Sequence, residues 1–392
     1  MRNIGTVTTG IRTPIIREGD DLPSIVLSSL KEAAASDGIK LKNQDVIGIT
    51  EAVLARSQGN YATVGQIASD VKAKFEEETV GVVFPILSRN RFAMLLKGIA
   101  MGAKKVVVQL SYPADEVGNT LISLDEIEKH GINPFADVLS VAQFRKFFGE
   151  HVGHPFTGID YVDYYLHLGD NIEVILANDP RAILQYTKSV IAADIHSRAR
   201  TKRLLKEAGA KVLGLDDLLT ASVDGSGYNA DYGLLGSNKA SEERVKLFPR
   251  DGNSVVQEIK ERVKKDFGVD VHVMIYGDGC FKDPVGGIWE LADPVVAPFC
   301  TENLDGTPNE LKLKYLADND YGTLSKEEAR EKITEAIKNK GGRSLMGKME
   351  SEGTTPRRLT DLLGSLCDLT SGSGDKGTPV VLIQGYFDNY AS

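Results

Sequence analysis

The chain is poor in cysteine, tryptophan and net positive charge. Its three cysteines, Cys280, Cys300 and Cys367, are too few and too scattered for a disulfide framework or a paired CxxC zinc site. Lys and Arg number 46 against 55 Asp and Glu, a formal charge of -9, which argues against a protein that reads nucleic acid with a basic face. Long apolar runs are missing too. None approaches the ~20 residues that span a bilayer, and the opening MRNIGTVTTGIRTPII lacks the apolar core, roughly 7–15 residues long, of a secretory signal. These absences predict a reduced, cytoplasmic protein with no nucleic-acid and no membrane partner. They leave room for an enzyme whose anionic substrate sits in a local basic pocket.

The residues present suit a soluble globular chain: 42% are hydrophobic and 26% charged. At 392 residues it is long for one core, so two domains, or one domain with a large insertion, are expected. No internal repeat or long low-complexity tract breaks it up. The clearest periodic unit is VGVVFPILSRNRFAMLLKGIAMGAKKVVVQL. There Val80–Phe84 reads as a strand, Ser88-Arg89-Asn90 as a polar turn, Phe92–Met101 as a helix closed by Gly102, and Val106–Val108 as a second strand. Short apolar runs flanking a helix-length segment indicate a βαβ unit with a parallel pair. The stretch that begins with NIEVILANDP repeats the logic, with a strand Ile172–Leu176, a helical segment, Gly209 as a stop and a strand Lys211–Leu215.

The ends of the chain differ. Asp45–Asn60 starts strand-like and turns at Gln58-Gly59-Asn60. VVQEIKERVKKDFGVDVHVMIYGDG reads as an amphipathic helix, a Gly268 stop and a strand Val271–Tyr276; GTPVVLIQGY is a compact strand after a Gly/Ser loop. The expected fold class is therefore α/β. An α+β domain from residues 1–75 plus 220–392 carries an inserted α/β layer, residues 75–220.

Few residues offer nucleophilic or zinc chemistry. Cys280, in IYGDGCFKDP, has Lys282 beside it but no histidine within seven residues, so a small packing role suits it better than a nucleophile. His151 and His154 in EHVGHP could share a helix face, but the motif lacks the glutamate of a zinc protease and Pro155 follows at once. Lone His130, His167 and His196 read as surface or satisfied core residues. Two glycine-rich loops hold more. SGSGDKGTP could crowd backbone N–H groups round an anion, with Lys376 adding charge, although the GxxxxGK[ST] spacing is absent. Asp231, Asp278 and Asp375 each sit in a Gly-rich turn, where a carboxylate serves either a hard cation or local turn hydrogen bonds.

Five segments occur in one order: GIRTPIIREGDDL, DVIGITEAVLARSQGNY, YNADYGLLGSN, VHVMIYGDGCFKDPVGGIWELA and GDKGTPVVLIQGY. That order resembles the gamma-glutamyl ligase family that adds L-glutamate to the precursor of the deazaflavin coenzyme F-420. The resemblance lies in residues 1–75 and 220–392; the middle block has no counterpart in it. It implies a two-lobed, intertwined α+β homodimer. It also implies a ligase that couples hydrolysis of GTP or ATP, with Mg²⁺ or Mn²⁺, to amide formation. The substrates would be small molecules: the nucleotide, L-glutamate or a similar amino acid, and an acidic acceptor, deazaflavin-like or folate-like.

The resemblance also assigns roles. Thr13, Pro14, Ile15 and Ile16 would contact the nucleotide, Arg56 would replace a phosphate-binding lysine, and Asn238 would be a further nucleotide contact. Gly374 and Lys376 belong to the phosphate loop. Asp231, Asp278 and Asp375 would be the metal carboxylates, with Asp278 and Arg56 at the chemistry. Departures stand beside these. Glu51 and Ala52 replace small hydroxylic residues, the loop at Asp278 is two residues short, Ser373 holds the place of a glutamate, and Asp283 stands where a base is expected. They suggest a different acceptor, or a nucleotide- or acidic-metabolite-binding protein with a degenerate site. A third reading gives the middle layer its own site at Ser88-Arg89-Asn90 and Asn178-Asp179-Pro180, the loops where open parallel sheets bind ligands.

Overall fold

The computed structural model describes the chain apart from residues 1–3, 278–280, 283–288, 291–296, 305, 352–357, 373–375, 390 and 392. Its apolar runs sort into two main sheets. The first draws on both ends of the sequence. Its strands are β1 (Val7–Ile11), β2 (Val46–Thr50), β12 (His272–Tyr276), β15 (Phe299–Cys300) and β16 (Val380–Gln384), in the order β1-β16-β2-β12-β15. β2 and β12 run parallel, and the other neighbours are antiparallel. β2 is buried along its whole length, as a strand covered on both faces must be. Helices α1 (Leu22–Asp37) and α9 (Gly252–Phe267) cover one face through Val26, Leu30, Ile259 and Val263. Helix α12 (Leu359–Ser371) covers the other through Leu363 and Cys367. Gly48 lies under that helix: a Cβ there would run into Cys367 Sγ.

Local signals set these helices. Asp21 caps α1, accepting from Ser24 N at 3.2 Å and Ser24 Oγ at 2.6 Å. Gly268 ends α9 at φ +70°, the left-handed conformation that glycine adopts freely.

The second sheet has six strands in the order β6-β7-β5-β4-β8-β9. They are β4 (Thr79–Val83), β5 (Lys105–Leu110), β6 (Leu139–Ser140), β7 (Ile172–Leu176), β8 (Ser189–Ala192) and β9 (Lys211–Gly214). All are parallel except β6, and the winding reverses between β4 and β8. On one face lie α3 (Val64–Lys74), α4 (Phe92–Gly102) and α7 (Tyr161–Leu166); on the other lies α8 (Arg198–Glu207). Alternation explains the split: Val106 and Val108 face the first group, Val107 the second. Helices α5 (Leu124–Lys129) and α6 (Val141–Phe148) fill the long connection from β5 to β7.

Smaller elements join the two. Helix α2 (Glu51–Ser57) follows β2 directly. A three-stranded sheet, β10 (Asn238–Lys239), β11 (Arg244–Lys246) and β3 (Tyr61–Thr63), sends Ala62, Val245 and Leu247 into the parallel layer's core. Strands β13 (Phe281–Lys282) and β14 (Trp289–Glu290) pair with each other, and α10 (Leu313–Tyr315) and α11 (Lys326–Lys340) frame a satellite cluster round Leu316 and Ile333. Among the described residues no helix is long and apolar enough to cross a membrane.

The α/β class holds. Two expectations need correction. The stretch after Asn178 is not one helix: a 3₁₀ turn, Pro180–Gln185, and the four-residue strand β8 come before α8. All four residues of β8 are buried, and so short an apolar run shows no period of its own. Asp45–Asn60 holds, besides its strand and turn, the seven-residue helix α2.

Candidate functional site

The strand register gathers distant segments at one end of the mixed sheet. Ile11 lies opposite Val380, Val380 opposite Ile49, and Ile49 beside Ile275. The chain leaves this row at Arg12, Thr50 and Tyr276, and enters it through Lys376–Pro379. Four of the five ordered segments therefore meet there. Thr50 N donates to Pro379 O at 3.0 Å and ties two of them together. In the first segment Ile16 is 4% exposed and anchors in the core, while its neighbour Ile15 is 79% exposed and projects outward. Thr13 Oγ1 donates to Pro14 O at 3.0 Å. Thr378 Oγ1 is buried with no partner among the described residues.

The charged centre is Glu51. It is the first residue of α2, 6% exposed, with Thr50 Oγ1 at 3.2 Å from its Oε2. An acid at a helix N-terminus is favourable, but burial dominates here and holds the carboxyl above its usual range. The fields of Lys246 and Arg91 and the Thr50 hydroxyl oppose that shift. Burial likewise pushes the Lys246 ammonium below its usual range, with Glu51 opposing and Arg56 and Arg91 reinforcing it. Lys246 belongs to β11 and pairs across the ladder with Asn238 on one side and Tyr61 on the other. Arg91, in the loop between β4 and α4, brings Nη1 to 3.4 Å from Ser237 O, next to Asn238. Beneath the site, Tyr276 donates its buried hydroxyl to Ser371 Oγ at 2.9 Å.

The expected site residues divide clearly. Asn238 and Arg56 join the Glu51–Lys246 cluster, Asn238 half-buried and Arg56 exposed. Thr13, Pro14, Ile15, Ile16 and the exposed Lys376 flank the same sheet end. Asp231 is exposed in a turn whose N–H groups are held by Asn229 Oδ1, at 3.0 Å from Asp231 N and 2.9 Å from Tyr232 N. Asp278, Gly374 and Asp375 lie outside the described residues, as do Cys280, Asp283 and Ser373. Among the described residues no group of three or more His, Cys, Asp or Glu side chains forms a metal set. Lys246 and Arg91 do not stand out in the sequence. In ERVKLF the alternation with Val245 and Leu247 marks Lys246 as the solvated side of a strand, and only the fold turns it toward Glu51.

The end of the parallel layer is built differently. His154 is buried; its Nδ1 accepts from Phe156 N at 3.3 Å and Thr157 N at 3.4 Å, and its Nε2 lies 3.4 Å from Asp115 Oδ2. Asp115 Oδ1 accepts from Val117 N at 3.1 Å and Asn119 N at 2.7 Å. His151 is exposed, so EHVGHP clasps a loop rather than presenting two ligands. A cavity of about 20 Å³ adjoins, lined by Leu87, Leu110, Asp115, Phe144, His154 and Tyr161. Ser88 N donates to Tyr165 Oη at 3.0 Å, and Asn178 Oδ1 accepts from Tyr112 N at 3.1 Å, so both strand-end loops are engaged internally.

Fold and site thus define an α/β protein with a buried carboxylate, Glu51, in the field of basic side chains where its mixed sheet ends. The family model for F420-0:gamma-glutamyl ligase matches residues 10–385, and the chain belongs to that family. The match spans the parallel layer as well as the two ends. No curated protein matches the sequence.

Proposed function

We propose that the chain is a GTP- or ATP-dependent amide ligase that joins L-glutamate, or a related amino acid, to a carboxylate-bearing acceptor. The observation that supports this reading most is the meeting of four separate segments at one sheet end. The acceptor carboxylate attacks the γ-phosphorus, forming an acyl phosphate and releasing the nucleoside diphosphate. The amine then attacks the acyl carbon, the amide bond forms, and orthophosphate leaves with the C–O bond electrons. Arg56, Asn238 and Lys376 orient the triphosphate, and Thr13–Ile16 hold the nucleoside. No covalent enzyme intermediate is required. The Cys367 thiol, which burial pushes far up, is inert packing.

Mg²⁺ or Mn²⁺, with Asp231, Asp278 and Asp375 as carboxylates, belongs to this proposal; when bound it would neutralise phosphate charge. So do the homodimer, the cytoplasmic location and a division into a ligase part, 1–75 plus 220–392, and a layer, 75–220. The test is orthophosphate release from GTP or ATP that depends on both glutamate and acceptor. If Asp278→Asn leaves turnover within about threefold, Asp278 is not a metal ligand, since losing one costs much more. Glu51, a carboxylate buried beside the phosphate cations, favours a second reading, a nucleotide-binding protein without turnover. Thermal stabilisation by GTP with no hydrolysis would identify it.

A further inference from the structure

We propose that the loop between β5 and α5, residues 111–123, is a lid over the strand ends of the parallel layer, latched by Glu116. The topology puts it there. In the order β5-β4-β8 the loop leaves β5, and Glu116 grips the turn after β8, so the latch reaches over the end of β4. The winding of the sheet reverses at that point, where open parallel sheets bind ligands. A cavity of about 20 Å³ adjoins the loop. Its walls include Ser111, Asp115 and Leu121 of the loop and Leu110 and Leu176, the last residues of β5 and β7.

The loop is a stiff tip on two fixed ends. Tyr112 and Ile122 are buried, and Tyr112 donates its hydroxyl to Asp137 O at 2.8 Å. Between them Ala114 pairs with Thr120, and Asp115 Oδ1 accepts from Val117 N and Asn119 N, so the tip keeps its shape as it moves. Two latches tie the tip down. On one side Asn119 Nδ2 lies 3.3 Å from His154 Nε2, with Asp115 Oδ2 at 3.4 Å from the same nitrogen. On the other Glu116 Oε1 accepts from Ile195 N at 2.8 Å and from His196 N at 2.9 Å. Closure carries a cost. Asn119 Oδ1, at the first latch, and Asp194 Oδ1, next to the second, are buried with no partner among the described residues. Opening lets water reach them.

The groups round Glu116 make the latch sensitive to pH. Asp115 on its own loop and Asp194 after β8 face it. His196 is exposed, Arg198 Nη1 donates to Asp194 O at 3.2 Å, and His154 lies against Asp115. Burial, with these two carboxylates, pushes the Glu116 carboxyl up to about 7 in the closed lid. In an open lid it returns to water and to about 4.3. The closed lid thus holds the proton more tightly, and rising pH between these values favours opening.

The test is amide hydrogen exchange of the whole chain, read by mass spectrometry and corrected for the intrinsic effect of pH. Residues 114–120 and 194–197 should lose protection together as pH rises from about 4.3 to about 7, then level off, while β5 stays protected. Glu116→Ala should speed exchange in both stretches at least about tenfold near pH 6. Glu116→Gln keeps an acceptor and should abolish the pH dependence. Ser111→Cys reports on the cavity: its thiol should be alkylated at least about tenfold faster once Glu116→Ala is added. Unchanged exchange at residues 194–197 in Glu116→Ala, protection lost only together with β5, or equal alkylation in both backgrounds would overturn the proposal. If Glu116→Ala misfolds, as its melting curve would reveal, the pH course of wild type against Glu116→Gln decides. No nucleotide enters these readouts, so the lid and the ligase reading stand or fall separately.

Discussion

The mixed sheet and the parallel layer bury polar groups at their ends in different ways. At the end of the mixed sheet a carboxylate is buried, an ammonium lacks a partner among the described residues, and Ile15 stands 79% exposed. At the end of the parallel layer Asp115, Asn119 and His154 bond one another and the backbone, and the adjoining cavity of about 20 Å³ has room for about one water. Open parallel sheets usually bind ligands at that edge. That edge is satisfied from within only in part: Gln109 Oε1, Asn119 Oδ1 and Asp194 Oδ1 are buried there with no partner among the described residues. Buried polar groups without partners among the described residues thus stand at both ends, Thr378 Oγ1 at the mixed sheet and these three at the parallel layer.

Substitutions can break this contrast. The largest effect should come from the layer's own clasp. Arg145 donates to Asp160 at 2.7 and 2.9 Å and to Asp163 at 2.7 Å, and Asp160 also receives Val152 N at 2.7 Å. Arg145→Ala leaves the Asp160 carboxylate buried and should cost about 3–5 kcal/mol in denaturant unfolding. A loss under about 1 kcal/mol would mean that this edge is looser than the bonds imply. Next comes Gly48→Ala in the mixed sheet, which pushes a methyl onto Cys367 and should cost about 1–3 kcal/mol in the same measurement.

A third prediction concerns pH. Burial, with help from Asp194 and Asp115, pushes the Glu116 carboxyl up to about 7 against the N–H groups of His196 and Ile195. The folded value lies above the unfolded one of about 4.3, so between the two the folded state binds more protons. Stability should therefore fall as pH rises from about 4.3 to about 7. Glu116→Gln should flatten that fall; an unchanged slope would place the titrating group elsewhere. The smallest effect belongs to the exposed pair of Lys104 and Glu78. Lys104→Ala should change stability by less than about 0.5 kcal/mol, and a larger loss would show the layer's rim to be more than solvated surface.

Much of the fold is legible as periodicity. Ile172–Leu176 and the start of the helix at Phe92 are where the apolar pattern puts them, because each long run has a single period to follow. Strand β8 is not legible, being too short and too uniformly apolar. The family resemblance rests on five segments, and the register of β1, β2, β12 and β16 explains why four of them keep company. The cations opposite Glu51 are invisible in the sequence, since Arg91 and Lys246 lie 155 positions apart, 246 less 91, and no local pattern joins them. Glu51 itself reads as a departure from the family; the fold supplies the charges that make a buried carboxylate tolerable there.

If a nucleotide binds where the mixed sheet ends, its phosphates lie against Arg56 and Lys376. A crystal grown with a non-hydrolysable GTP analogue and Mn²⁺ decides this, because the anomalous signal of the metal marks the triphosphate. The expected signal lies beyond Thr50 and Tyr276, with phosphate oxygens meeting the Arg56 guanidinium and the Lys376 ammonium. Nucleotide density at the Asp115–His154 edge of the parallel layer, or none at all under saturating ligand, would contradict it.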